Sequence, residues 1–131
     1  MNDVPEPVLV TCNAFPRLVI YRGPVASFPI YMAELDRPEK VIASSNKFWF
    51  DNCYQAVVGF PRARHHHLIR LLVQLLGDQY EREFVYPRNQ GFMTSHGRLI
   101  GRLEARKIAE DQHQLLTTAY KHRELFSEDI W

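Results

Sequence analysis

Six of the chain's eight prolines, Pro5, Pro7, Pro16, Pro24, Pro29 and Pro38, fall within its first 38 residues. Proline has no N–H to give a sheet ladder and fixes φ. The apolar runs between the prolines, "VLV" and "LVIY", are therefore expected as edge strands or extended arms and not as a central strand. The residues leave open whether this stretch packs on a neighbouring subunit or coats the core of its own chain. On this contrast the chain divides into a proline-rich extension, residues 1–38, and a body, residues 39–131.

In the body the punctuation changes. "KVIASSNKFWF" and "CYQAVVGF" are β-rich runs joined by Asp51-Asn52, which predicts a β-hairpin of uncertain loop length, since Asn-Gly or Asp-Gly is the usual two-residue pair. In "PRARHHHLIRLLVQLLGD", Leu68, Leu71, Leu72, Leu75 and Leu76 recur at helical spacing and Gly77 marks a stop. With Ile69 and Val73 added, that helix is expected to be buried on more than one side. "REFVYP" reads as a third strand ended by Pro87, and a second helix is expected from Arg102 to about Leu116, with Glu104 at the positive end of its dipole. The fold class is α+β, a small antiparallel sheet packed with two main α-helices. The closing "LFSEDIW" should dock its tryptophan, on this chain or at a subunit interface.

At 131 residues, 46% hydrophobic and 24% charged, the chain suits one soluble domain. Its net charge of +1 gives no global field of the kind a sequence-independent nucleic-acid binder shows, so no DNA partner is expected and any anion site must be local. Cys12 and Cys53 form no CxxC and no disulfide framework, which fits a reducing compartment. No run approaches the roughly 18 apolar residues of a membrane span, and the N-terminus has no basic signal region.

Two stretches carry candidate chemistry. In "QGFMTSHGRLIGR", Gly91 and Gly97 bracket a turn, and Arg98 and Arg102 follow at a spacing that can gather both guanidiniums at one helix N-terminus, a place for phosphate. The plainer alternative is a strand-to-helix connection with solvated arginines. Phe92 beside them could stack a base, although it is equally good core material. In "FPRARHHHLIR" three arginines and three histidines concentrate donors at a helix entrance, which suits either a second set of phosphate ligands or a solvated cap. Adjacent histidines on a helix diverge by about 100°, and no i,i+4 pair or HExxH is present, so no metal and no cofactor is expected. No GxSxG, P-loop or paired-carboxylate motif suggests catalysis.

From Val41 to Trp131 the chain resembles the phage-encoded Thoeris anti-defence proteins of the first type. The resemblance rests on a strand pair, then "VVGFPRARHHHLIR", then "NQGFMTSHGRLIGRLEARKIAEDQ", then "LFSEDIW". It implies an oligomeric sponge in the cytoplasm of an infected bacterium, a dimer or hexamer with signal sites at the dimer interface. Such a sponge holds cyclic ADP-ribose-type signals intact, and some members also hold CBASS cyclic oligonucleotides. Carried over by motif, Phe92 would lie against adenine, with Gln90, Gly91, Thr94, Arg98 and Arg102 around it and Arg62, Arg64, His65 and His66 adding contacts. Phe92→Ala and Arg102→Ala are then expected to weaken capture and leave the chain folded. The proline-rich extension, "EDQH" and the triple histidine depart from the pattern and bear on ligand choice. The alternatives are a nucleotide-degrading enzyme and a small nucleic-acid-binding module.

Affinity adds a constraint. Stoichiometric capture needs nanomolar binding, about −12 kcal/mol. A stacked base offers roughly 1–3 kcal/mol, and a charge-assisted hydrogen bond roughly 1.5–3, against several lost on association. An open turn falls short, so the site should be enclosed, and a second subunit could close it.

Overall fold

Two strands of ten and eight residues form the middle of the molecule because their alternate positions are apolar on both faces. The computed structural model describes residues 5–10, 18–28, 34–60, 63–117, 119 and 123–131. Its strands are β1 (Val8–Val10), β2 (Val19–Pro24), β3 (Val41–Phe50), β4 (Cys53–Phe60), β5 (Gln90–Thr94) and β6 (Leu99–Gly101). They make one antiparallel sheet in the order β1-β2-β4-β3-β5-β6. Three helices accompany it: α1 (His65–Leu76), the five-residue α2 (Glu81–Val85) and α3 (Arg102–Asp111). The α+β class is as expected, with a larger sheet and one more short helix.

Asp51 and Asn52 join β3 to β4 with φ of 54° and 63°. Both central residues are left-handed, so this is a two-residue primed turn whose twist matches the strands; Asp and Asn tolerate that region almost as glycine does. On one face of the sheet Ile20, Phe48 and Val57 meet Leu68, Leu71 and Leu72 of α1 and Phe84 of α2. Each of those three leucines is essentially inaccessible, and burying one contributes about 1.5–3 kcal/mol. Farther along that face Val41, Phe92 and Ile100 pack against Ala105 and Ala109 of α3 and against Leu125 and Ile130 of the C-terminal segment. The opposite face buries Ala43, Ala56, Val58 and Met93 beneath Phe28.

Four expectations change. β2 is paired on both sides, by β1 and β4. Its prolines flank the run and Pro24 ends it, so no ladder N–H is missing from its middle. "REFV" is the helix α2: Phe84 alone is buried and packs edge-on to Phe48, with ring centroids 5.8 Å apart. Glu81 and Glu83 occupy its first turn, where they complement the dipole. The face of α1 that carries Leu75 is open, that residue being 43% exposed, so the helix is amphipathic. α3 stops at Asp111 because His113 turns left-handed (φ 56°) and Gln114 N–H closes back on the Ala109 carbonyl at 2.8 Å. The Gln114 side chain then bonds both Val41 N–H and Val41 carbonyl, at 2.9 and 2.7 Å, and pins the end of β3.

Candidate functional site

Four segments converge where α1 and α3 begin. α1 brings His65, His66 and Ile69; the turn before β5 brings Arg88 and the first residue of β5 is Gln90; α3 opens with Arg102, and the C-terminal segment lies across both helix starts. Backbone bonds hold that segment down: Leu125 N–H to the Arg102 carbonyl at 3.0 Å, and Leu116 N–H to the Asp129 carbonyl at 2.8 Å. The Ser127 hydroxyl accepts the His65 N–H at 3.3 Å, and Arg64 Nη2 donates to the Trp131 carbonyl at 2.5 Å.

Two adjoining hollows result. One, of about 370 Å³, is lined by Arg88, Leu103, Glu104 and Glu124. The other, of about 220 Å³, is lined by His65, His66, Ile69, Phe126, Ser127 and Glu128. Gln90 and Arg102 line both. The Arg102 side chain is 11% exposed; its Nη2 donates to Gln90 Oε1 at 2.6 Å, and its guanidinium carbon stands 4.5 Å from the centre of the Phe126 ring. Burial lowers its pKa, Glu124 and Glu128 opposing that shift. A larger hollow of about 670 Å³ follows the outside of α3, where Arg106 is tied to Glu110 at 2.8 Å and faces Asp129 at 3.8 Å. None of the candidate ligand contacts expected from the sequence is among its lining residues.

Gln90, Arg102, His65 and His66 thus come together. The other singled-out residues that the structure describes are engaged in the fold. Phe92 has no accessible surface and lies among Ile100, Ala105 and Leu125, its ring edge-on to His65 at 4.9 Å. In this fold it is core and offers no face to a base. Gly91 is a strand residue where a Cβ would overlap the Ile100 carbonyl; of the bracketing pair only Gly97 takes positive φ, 77°. Thr94 is buried, and its hydroxyl donates to Glu39 at 2.6 Å.

Arg98 and Arg102 do not pair at the start of α3. Arg98 bonds Glu39 through Nε and Nη2, both at 2.8 Å, and Glu104 at 2.5 Å. Its bonds to Glu39, with help from Thr94, hold that carboxyl down at about 2. The fork is satisfied by two carboxylates and not by an N-terminal anion site. Arg62 lies outside the described residues. Arg88, Ile69, Phe126 and Glu128 also line the hollows and are not among the ligand contacts expected from the sequence; the signal available for the last two is "LFSEDIW", a docking tail and part of the family resemblance.

His65 carries a testable consequence. Its ring is buried with Nε2 2.7 Å from the Gly91 carbonyl, and burial pushes its pKa down to about 4, the Gly91 hydrogen bond and Glu128 opposing the drop and Arg102 and His66 adding to it. Protons therefore bind the unfolded chain more readily between pH 6.5 and 4. The neutral ring's contribution is complete above about 6.5 and lost as pH falls towards 4. We expect stability to fall by about 3 kcal/mol across that window. His65→Gln should flatten that part of a urea-midpoint-against-pH curve; an unchanged slope would assign it to other groups.

No described helix is long and apolar enough to cross a membrane, and no group of three or more described His, Cys, Asp or Glu side chains could hold a metal ion. The molecule is an α+β protein whose α1 and α3 begin beside a half-buried arginine shared by two hollows. A family model matches residues 40–131, and the chain belongs to the phage T4 y16D protein family. No curated protein and no solved structure matches it.

Proposed function

We propose that this phage-family protein is an anti-defence sponge that captures a cyclic ADP-ribose-type signalling nucleotide, glyco-cyclic ADP-ribose first among them, and leaves it uncleaved. CBASS cyclic oligonucleotides are a further ligand class under the same reading. The observation that carries it is Arg102, a half-buried cation common to both hollows with Glu124 no nearer than 3.9 Å. A cyclic ADP-ribose has a diphosphate between its two riboses. Its anionic middle suits Arg102, and its ribose hydroxyls suit the carboxylates of Glu104, Glu124 and Glu128 on the rims.

Capture is favoured over turnover by what surrounds the hydroxyl of Ser127. It meets the His65 backbone and Glu128, while the His65 ring is held by the Gly91 carbonyl. Among the described residues no imidazole is hydrogen-bonded to it as an activating base would be. Nucleic-acid binding is disfavoured by the pairing of nearby cations: Arg98, just before β6, is held by Glu39 and Glu104, and Arg106, on α3, by Glu110. Both hollows are open to solvent at the surface, so enclosure by a second copy of the chain, in a dimer or hexamer, belongs to the same proposal.

Calorimetry with glyco-cyclic ADP-ribose, followed by mass spectrometry of ligand released by heating, tests it. A nanomolar Kd and unchanged mass are expected. A changed mass with turnover would make the protein an enzyme, and affinity for a DNA duplex that falls steeply with salt would make it a nucleic-acid binder.

A further inference from the structure

A guanidinium so far from water ordinarily meets a carboxylate. Arg102 instead makes its shortest bond, 2.6 Å, to a neutral amide, that of Gln90, and its one carboxylate contact is a loose ion pair at 3.9 Å with Glu124, itself half exposed. Its Nε is buried without a hydrogen-bond partner among the described residues. Glu104 stands within the same first turn, but residues two apart on a helix do not face each other, and Arg98 holds that carboxylate at 2.5 Å. Arg98 itself is anchored on Glu39, so the withdrawal of Glu104 is built into the network.

Gln90 has a second bond that fixes which way its amide faces. Nε2 donates to the Val85 carbonyl at 2.8 Å. Only the NH2 end can donate there, so the oxygen is left for Arg102. The amide thereby ties the end of α2 to the start of α3 and stands in the wall between the two hollows. A carboxylate at this position would have nearly the same shape, would form a stronger charge-assisted bond, and would cancel the cation.

We propose that Gln90 is the positioning residue of this site: it aims the Arg102 fork without neutralising it and so reserves a positive charge for the diphosphate of a ligand lying across both hollows. The inference rests on the capture reading for the identity of the ligand, and on Arg102 alone for its need of an anion.

Gln90→Glu tests it, with inorganic pyrophosphate and glyco-cyclic ADP-ribose as separate probes in calorimetry. The variant should melt at or above the native temperature, because it gains an ion pair, and should bind both probes roughly a hundredfold more weakly. Gln90→Met, which removes the amide and adds no charge, should lose roughly tenfold, and it also serves if the glutamate variant does not fold. Native affinity for both probes in Gln90→Glu, or in Gln90→Met where that is the variant that folds, would overturn the assignment, as would a native protein that binds neither probe. Should the native protein bind pyrophosphate and not the cyclic nucleotide, with Gln90→Glu losing the former, the role of Gln90 stands and the capture reading fails.

Discussion

Phe92→Ala is expected to destabilise the chain by about 3–5 kcal/mol, the usual result of emptying a fully buried aromatic site. Phe92 joins β5 to three other elements at once: Ile100 of β6, Ala105 and Ala109 of α3, and Leu125 with Ile130 of the C-terminal segment share its cluster. The two alanines are too small to refill the void from the α3 side. His65 and Trp131 also meet the ring, at centroid distances of 4.9 and 6.2 Å, so loss of the ring would loosen the buried histidine and the tail together. Any loss of ligand binding in this variant would therefore follow the loss of fold. Urea unfolding of native protein and variant reads this directly. A variant that melts like the native protein and fails only in capture would return Phe92 to the role of a base platform.

Why Phe92 could be read either way from the sequence is clear from its surroundings. An aromatic flanked by glycine and followed by arginines satisfies the chemistry of a stacking site, and nothing in "QGFMT" reports that α3 will close over it. That closure depends on Ala105 and Ala109, whose small size lets the helix sit directly on the strand, and on a C-terminal segment far along the chain. The hairpin and α1 were legible because their signals are local: alternation in β3 and β4, leucines at helical spacing in α1. "REFVYP" misled for the complementary reason. A short apolar run has no resolvable period, and the neighbour that decides it, Phe48, lies far back on β3. The site was half legible. Charges at two helix starts announced Arg102 and the histidines, whereas the pairing of Arg98 with Glu39 depends on residue 39 reaching the β5–β6 turn, where Lys40 N–H bonds Ser95 Oγ at 2.9 Å.

The second large effect is expected at Arg102, and its sign differs between stability and binding. Replacing a poorly compensated buried charge by an apolar side chain of similar length is often neutral or stabilising. In Arg102→Met the guanidinium is lost, but the Leu125 N–H still reaches the backbone carbonyl of residue 102, and Phe126 keeps an apolar partner. We expect this variant to melt within a degree or two of the native protein or above it. Its affinity for glyco-cyclic ADP-ribose should fall by about 3 kcal/mol or more, a hundredfold or greater, since two charge-assisted bonds to phosphate oxygens are worth roughly 1.5–3 kcal/mol each. Arg102→Lys keeps the charge without the fork and should lie between the two. A cation that costs the fold stability and is kept in place by Gln90 makes physical sense if an anion completes it. Were Arg102→Met less stable and equally tight, the guanidinium would be a fastener for the tail, and the two hollows would have no claim to a phosphate.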